Sequence, residues 1–528
     1  MTSVHIQNVQ LSERVMVLEQ QLDWFKRQLF GRKSEKQIID NPAQSSLFVS
    51  DLAPAQTPEP GTEVAGHRRS SKKQTQEQDV NDTGLRFDDS VPQQIIEVPA
   101  QELTGEDAQQ YDIIDYKDTC RLAQQPGSYT VLVYRRPVLR HKSQQTLVTV
   151  PAPVNVLEGC FADVSLLAGL MVDKAVYHLP LYRQHQRMLD SGVTVSRATL
   201  INWIQKGIEL LRPIYQAMLR QMLQSSVLAM DEVPMKAGRK QKGKMQQTYF
   251  WPIYGEQDEV AFTWSTSRGA QHAINQLSGF SGTLLTDGYV AYEKAVAQLN
   301  KHEHTVTHAT CWAHSRRTFE KALQMEPDTA QHAINIIATL YKIEKYIRDN
   351  KLDKRQTLAY RQQHSEPIVH AFFIWVYEQR QRPELLPSNP LAKALAHVSE
   401  RQSQLKVFLS NPDVPIDTNH LERSLRVIPM GRKNYLFCWS ELGAEQLGIL
   451  QSLMVTCRIQ GINPYTYLVD VLQRVGIHPA KDVLDLVPRV WKIKVADNPL
   501  KSNLSIPPQA KRLGILVSVQ LLRNAHYN

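Results

Sequence analysis

Two stretches of the chain decide the fold: SVLAMDEVP at residues 226–234 and GTLLTDGY at residues 282–289. Each is a short apolar run, of the length of a buried strand, that ends on an acidic side chain and a turn. The two acids are Asp231 and Asp287. Acids at strand ends are used in ordinary turns and caps, and they are also the oxygen ligands that a divalent cation needs.

The residues around these stretches predict the rest of a catalytic core. Strands are predicted at 226–230, 249–254, 260–266, 282–286 and 305–310, with helices at 270–277 and 290–300. Three antiparallel strands, a helix and then strand-helix-strand is the order of an RNase H-like α/β core. In that core the first and fourth strands are neighbours, so Asp231 and Asp287 would share metal ions, with Mg²⁺ or Mn²⁺ suited to hard oxygen ligands.

A third acid follows a helical stretch at 317–410, in the sequence PIDTNHLERSLR at residues 415–426. A helix beginning there would carry Asn419, Glu422 and Arg426 on one face, because side chains three and four apart are neighbours. The three side chains would then face one cleft. The alternative is a surface ion pair between Glu422 and Arg426.

Upstream, residues 180–207 have the spacing of a helix-turn-helix, with helices at 180–190 and 197–207 and Ser196 as an N-cap. In such a module the second helix presents Arg197, Thr199 and Asn202 to the DNA major groove. Leu200, Trp203 and Ile204 would pack inward. Two helices of an ordinary core have the same pattern.

The N-terminal region has three features of its own. Apolar residues spaced by three and four over 4–29 predict a short coiled coil, or an amphipathic helix that packs on its own chain. Residues 41–84 are rich in polar residues and proline, which predicts a flexible linker. Strands at 129–134 and 146–150, separated by basic residues, predict a small β element that contacts phosphates or is a solvated hairpin.

Composition narrows the class of protein. The 528 residues include 61 Lys and Arg against 52 Asp and Glu, a net charge of +9; this favours a polyanionic partner, nucleic acid first, over a merely solvated basic surface. Hydrophobic residues at 42% and charged residues at 21% exclude wholesale disorder. Five cysteines are too few and scattered for a disulfide framework, and no apolar run approaches the ~20 residues of a membrane span. We therefore expect a soluble cytoplasmic protein, associated with the nucleoid.

These motifs together resemble the transposases of the insertion sequence 66 family, a branch of the DDE transposases. The resemblance rests on motifs that follow one another in order: QLFGRKSEK (28–36), HLPLYRQ (178–184), DEVP (231–234), GFSG (279–282), TDGY (286–289), CWAHSRR (311–317), NHLERSLR (419–426) and GRKNYLF (431–437).

The resemblance implies that Asp231, Asp287 and Glu422 bind two Mg²⁺ ions in an RNase H-like core with inserted helices. Water would cut the element's end and the freed 3′-hydroxyl would attack target DNA. Terminal inverted repeats and target DNA would be the partners, with a homo-oligomer and small companion proteins of the element. The alternative is a catalytically inactive or accessory-dependent DNA-binding repressor, while a general RNase H-like nuclease is disfavoured.

The cysteines of this chain differ from those of the family, and several basic residues are candidates for DNA contacts. Cys120 and Cys160 are too few for the zinc segment that family members carry, so zinc is not expected. Cys311 and His314 are interpreted as an architectural pair. Contacts to DNA phosphates, or else solvated charges, are predicted for Arg316, Arg317, Arg426, Arg432 and Lys433.

The predicted domain order is the coiled-coil helix at 1–40, the linker at 41–95, the small β domain at 96–160 and the helix-turn-helix region at 161–222. The catalytic domain follows at 223–478, with its helical insertion at about 318–410, and a tail occupies 479–528, unfamiliar past Trp491.

Overall fold

The α/β architecture is seen in a computed structural model that describes residues 86–87, 91–100, 103, 110–125, 127–142, 147–241, 243–301 and 305–505. Apart from 383–386, these residues belong to one compact unit. The strands are β1 Arg86–Phe87, β2 Gln93–Glu97, β3 Tyr111–Gln125, β4 Ser128–His141, β5 Leu147–Thr149, β6 Val193–Thr194, β7 Val227–Met230, β8 Val233–Gln241, β9 Lys244–Gly255, β10 Glu259–Ser265, β11 Gly282–Thr286 and β12 Val306–Thr310.

The helices lie mainly before and after the strands of the central sheet. They are α1 Val164–Ala175, α2 Leu181–Asp190, α3 Arg197–Met222, α4 Ala270–Gln276, α5 Val290–Leu299, α6 Trp312–Glu320, α7 Pro327–Asp349, α8 Lys354–Tyr360, α9 Glu366–Arg380, α10 Pro390–Glu400, α11 Gln402–Ser410, α12 Asn419–Leu425, α13 Val427–Tyr435, α14 Glu441–Ile459, α15 Pro464–Arg474 and α16 Pro488–Lys494. A π-helical turn, Arg361–Ser365, joins α8 to α9, and 3₁₀ turns lie at Ala480–Leu486 and Asn503–Ser505.

The central sheet has the strand order β10-β9-β7-β11-β12, with β8 paired to β9. β7 runs parallel to β11, and β11 parallel to β12, whereas β7, β9 and β10 are antiparallel. All four residues of β7 are buried, as expected for a strand covered on both faces. Every strand predicted for this sheet is present, and the first and fourth predicted strands are neighbours. β8 was not among the predicted strands.

The outer edge of the sheet is covered by α14, which supplies side-chain partners for β10. The backbone N–H groups of Phe262 and Val260 donate to Ser452 Oγ at 2.8 Å and Thr456 Oγ1 at 3.1 Å. The helix fits because Gly448 has no side chain: a Cβ there would lie 2.7 Å from the Phe262 carbonyl oxygen. The edge strand is thus shielded from pairing with other chains.

The helical stretch predicted at 317–410 is present as α6 to α11, between β12 and α12. The Trp312 indole at the start of α6 donates to the Leu405 carbonyl oxygen of α11 at 2.9 Å. The first and last helices of this segment are thereby fastened together where they join the sheet.

The N-terminal sheet has the order β2-β4-β3, with β5 also paired to β4. Its extent corrects two predictions. β4 continues through the basic residues that were expected to separate two strands, because β3 pairs with it along nearly its whole length. Residues 86–87 and 93–95, assigned to the linker, lie in β1 and β2, which pair with β6 and β4.

The two helices of the predicted helix-turn-helix are α2 and α3. Ser196 caps α3, its side chain accepting from the Thr199 N–H at 3.0 Å, and Leu200, Trp203 and Ile204 are buried as expected. The second helix is longer than predicted and continues to Met222, because its apolar face beyond residue 207 is also buried in the core.

In the segment predicted as a C-terminal tail, residues 479–505 are folded. Trp491 is buried and donates to Asp470 Oδ2 at 2.8 Å. The predicted coiled coil and the end of the tail at 506–528 lie outside the described residues. Among the residues described, no helix combines the length and apolar character that crossing a bilayer requires.

Candidate active site

The site is built where two parallel strands end side by side. In the pairing of β7 with β11, Leu285 stands opposite Ala229. Two residues further along each strand come Asp287 and Asp231, so the parallel register itself brings the two carboxylates together. The expectation that these acids lie close together is confirmed.

Backbone amides hold both carboxylates in place. Asp231 Oδ1 accepts from the Glu232 N–H at 2.7 Å, and Asp287 Oδ1 accepts from the Tyr289 N–H at 2.8 Å. Each aspartate is therefore held through its Oδ1, and its Oδ2 is available as a ligand for a cation.

Glu232 also lies beside this pair, although it was not among the predicted site residues. One ligand atom from each of Asp231, Glu232 and Asp287 lies within 4.8 Å of the others. The Glu232 side chain is 2% exposed and is bound by Arg268, while the Tyr292 hydroxyl donates to it at 2.7 Å. The sequence signal for Glu232 was its position directly after Asp231. If the strand continued, however, consecutive side chains would point to opposite faces of the sheet, and Glu232 would point away from Asp231.

The electrostatics of the cluster favour a bound cation. Burial, together with the nearby charges of Asp287 and Glu232, raises the pKa of Asp231 to about 8. Burial and the same acids raise the pKa of the Tyr292 hydroxyl, which keeps it a proton donor to Glu232. Crowded carboxylates of this kind are stabilised by a divalent ion, and an all-oxygen set fits Mg²⁺ or Mn²⁺.

Glu422 lies near this cluster but pairs with basic side chains. Arg317 donates to its Oε1, and His314 Nε2 is 3.7 Å from the same oxygen. Asn419 bonds to Asp417, and Arg426 is exposed where α12 meets α13. The common cleft of these two side chains with Glu422 stays a prediction. The ion pairs of Glu422 in the described residues thus come from α6 rather than from its own helix.

The segment around Cys311 connects the elements that carry the acids. The Cys311 N–H donates to the Thr286 carbonyl at 2.9 Å, beside Asp287, and the Trp312 N–H donates to Ile416 at 3.0 Å. The Cys311 sulfur is buried and accepts from the Thr418 N–H at 3.3 Å. These contacts tie the end of β11 to the start of α12, which carries Glu422.

A cavity of about 340 Å³ opens beside Asp287. Arg401, from the helical segment, donates two hydrogen bonds from Nε and Nη2 to the Gly288 carbonyl oxygen at 3.2 and 3.0 Å. Burial, together with the charge of Arg401, lowers the pKa of His397 to about 4, so this imidazole is neutral at pH 7. The cavity is lined by Asp287, Gly288, Tyr289, Val290, His314, Arg317, Thr318, Lys321, His397 and Arg401.

The other residues predicted to contact DNA are spread over two regions. On α3, Arg197 and Asn202 are exposed, while Thr199 is half-buried and bonded to Ser196. Near the acids, Arg316 pairs with Glu320 at 3.0 Å.

Beyond α12, Arg432 donates to the Pro234 carbonyl at 2.5 Å, and Lys433 is exposed. Arg432 is therefore tied to β8 shortly after the acid pair.

The fold is α/β, with two carboxylates at the ends of parallel strands and a helical segment before Glu422. This arrangement defines a candidate metal-dependent enzyme. The family model described as Transposase IS66 family matches residues 159–446. The IS66 C-terminal element matches residues 452–488, and the model described as Transposase C of IS166 homeodomain matches residues 17–81. The chain belongs to the IS66 transposase family, which confirms the resemblance inferred from the motifs.

Two relatives from Sinorhizobium fredii match over 70% or more of their own length. The uncharacterized protein y4jD is 27% identical over 515 residues, which cover 92% of this chain and 96% of the relative. The uncharacterized protein y4qI is 30% identical, over 71% of this chain and 70% of the relative. The similarity thus extends well beyond the acid motifs.

Proposed function

We propose that this chain is a DNA transposase that cuts and joins DNA strands with metal-bound carboxylates on an RNase H-like core. Family membership supports transposase activity in general. The observation that carries the finer proposal is the parallel pairing of β7 with β11, which brings Asp231 and Asp287 together. The strand order β10-β9-β7-β11-β12 supports the RNase H-like assignment.

In this proposal Asp231 and Asp287 hold divalent ions through the oxygens that the backbone amides leave available, and Glu422 is the third ligand. Bound Mg²⁺ or Mn²⁺ supplies charge stabilisation for the attacking and leaving oxygens. Arg317 must release Glu422 for that role, and a DNA phosphate is a suitable competing partner for its guanidinium. Water hydrolyses the phosphodiester at the element's end, and the 3′-hydroxyl so freed displaces a target-strand oxygen.

The partners in this proposal are the element's terminal inverted repeats and target DNA. The side chains of Arg197 and Asn202 on α3 are exposed. This supports the proposal that α2 and α3 form a helix-turn-helix that recognises the DNA sequence. The proposal also includes a homo-oligomer, small companion proteins and a place in the bacterial cytoplasm near the nucleoid.

The test is incubation of the purified full chain with a labelled duplex of the terminal repeat, with and without Mg²⁺. We expect metal-dependent nicking or strand joining that the Asp287→Asn variant lacks, because the amide keeps the shape of the carboxylate and removes its charge. The Glu422→Gln variant is expected to lose activity as well.

Repeat-specific binding without any cutting, with or without the companion proteins of the element, would contradict the catalytic proposal. It would favour the repressor alternative. Cutting that persists in Asp287→Asn would show that other residues carry the chemistry.

A further inference from the structure

A basic and aromatic surface begins next to the acidic site and follows β8. We call it the β8 surface. It consists of residues from the β8–β9 hairpin and from the segment after α12: Lys236, Arg239, Lys240, Lys244, Arg432, Lys433, Leu436 and Trp439.

Backbone hydrogen bonds join the two parts of the β8 surface. The Cys438 N–H donates to the Lys236 carbonyl at 2.9 Å, and the Gly238 N–H donates to the Cys438 carbonyl at 3.2 Å. These bonds form a parallel bridge between Ala237 and Cys438. Trp439 directly follows the bridged Cys438, so its backbone starts at the edge of β8.

Basic residues outnumber acidic ones on both parts, with the side chain of one acid, Glu441, lying against Gly238. Residues 233–255 contain five Lys and Arg and no Asp or Glu, and residues 423–440 contain four Lys and Arg and no Asp or Glu. The side chains of Lys236, Arg239, Lys240 and Lys244 are exposed. A surface of this charge fits a polyanion such as a nucleic-acid backbone.

Large apolar side chains stand in this basic surface without being covered. Trp439 is 70% exposed and Leu436 is 65% exposed. The Phe437 ring meets the Trp439 ring edge to face, at 5.1 Å between centroids, which supports the orientation of the indole. Exposed aromatic rings among cations are the usual means of binding single-stranded nucleic acid, whose bases present free faces for stacking.

The β8 surface adjoins the catalytic acids. Arg432 reaches the Pro234 carbonyl, two residues beyond Glu232. At about 3.3 Å per residue, Ala237 and its bridge partner Cys438, which precedes Trp439, lie at most about 20 Å along β8 from Asp231. A DNA strand held at the acids reaches that position within a few nucleotides.

We propose that the β8 surface binds an unpaired DNA strand next to the bond that is cut, with a base stacked on Trp439 and phosphates at Lys236, Arg239 and Arg432. The proposal rests on the proposed function for its substrate. It adds a binding site for single-stranded DNA that is separate from the helices expected to read the terminal repeat.

The test measures binding without catalysis, using the full chain with Asp287→Asn in EDTA. Fluorescence anisotropy compares a labelled single-stranded oligonucleotide with the same sequence as a duplex. We expect Trp439→Ala to weaken single-strand binding about tenfold, which is within the range for loss of one stacked base. Trp439→Phe should retain most of the affinity, and duplex binding should change little.

Two further variants test the role of charge and the specificity of the effect for Trp439. Lys236→Glu should weaken single-strand binding and reduce the salt dependence, because a phosphate contact is lost. Tyr377→Ala removes an aromatic ring of similar exposure, 68%, on α9, and should leave binding unchanged. An oligonucleotide with 5-iodouracil should crosslink to Trp439, as located by mass spectrometry.

Equal single-strand affinities of the parent and Trp439→Ala would overturn the proposal, as would an equal loss in Tyr377→Ala. So would dissociation of an oligomer by Trp439→Ala with unchanged DNA affinity, since the surface would then bind protein. Failure of cleavage in the terminal-repeat assay is a separate readout, because the anisotropy experiment requires no chemistry.

Discussion

Gly288, directly after Asp287, is the residue that Arg401 of the helical segment contacts. Its φ of +85° lies in the left-handed region, where a side chain is strained. Arg401 packs directly against it: a Cβ on Gly288 would lie 2.6 Å from Arg401 Nε. The Arg401 guanidinium therefore holds the turn that carries Asp287, and it requires glycine there.

We predict that Gly288→Ala lowers Mn²⁺ affinity and strand cleavage about tenfold or more, because the methyl group displaces Arg401 and the adjacent carboxylate. Gly279→Ala is the matched control, since Gly279 has a φ of +86° but open space around its Cβ position. Both variants carry the backbone cost of about 1–2 kcal/mol. Isothermal titration with Mn²⁺ compares them, and equal affinities would contradict a role for the Arg401 contact.

At this scale the sequence could predict the acids that follow strands and little of what surrounds them. Asp231 and Asp287 were found because each ends an apolar run. Arg401 contacts a residue 113 positions away and Arg317 one 105 positions away, and no local periodicity contains such pairs. The helical spacing of Glu422 and Arg426 was real, but tertiary packing gave Glu422 a different partner.

Among the elements, the helical segment is held together by a buried ion pair. Arg361, in the π-helical turn, donates from Nε and Nη2 to the two carboxylate oxygens of Glu344 on α7, both at 2.8 Å. Its Nη1 donates to the Phe408 carbonyl at the end of α11 at 2.9 Å. One guanidinium thus connects three elements, and both partners are almost fully buried.

We predict that Glu344→Ala lowers the free energy of unfolding by about 3–5 kcal/mol, because it leaves the Arg361 charge buried without its partner. Lys345→Ala is the control on the same helix, since its pair with Asp349 is exposed. It should cost less than about 1 kcal/mol. Urea unfolding followed by circular dichroism measures both, and similar losses in the two variants would contradict the difference in burial.

Buried strands were predicted correctly from the sequence, whereas a partly exposed strand was not. β7 and β11 were predicted because strands covered on both faces are continuous apolar runs. β8 was missed because its second half is polar and basic and contains Gly238. It is stabilised by its hairpin with β9 and by the bridge to Cys438, which are contacts that the strand's own sequence does not encode. α3 continues past Gly207, where the second helix was predicted to end, and this glycine packs against Met171.

For the molecule as a whole, the segment after α16 links distant parts of the chain. The Leu500 N–H donates to Asp470 Oδ1 at 2.6 Å, and Ser502 Oγ donates to Asp163 Oδ1 at 2.6 Å. Asp163 is also the N-cap of α1. Asn503 then donates to the Tyr134 hydroxyl in the N-terminal sheet at 2.9 Å. The sequence offered no motif here, because the order of the segment comes entirely from these contacts.

We predict that a chain ending at Lys494 unfolds at a temperature about 3 °C lower than a chain ending at Ser505. Three hydrogen bonds of about 1 kcal/mol each are lost, and each kcal/mol shifts the midpoint by about 1 °C in a protein of this size. Ser502→Ala in the full chain should give part of the same shift, since it leaves Asp163 with fewer donors. Differential scanning calorimetry at one scan rate measures all three proteins. Equal midpoints for the two shortened chains would mean that the segment lies on the surface without stabilising the connection between the N-terminal sheet and the C-terminal helices.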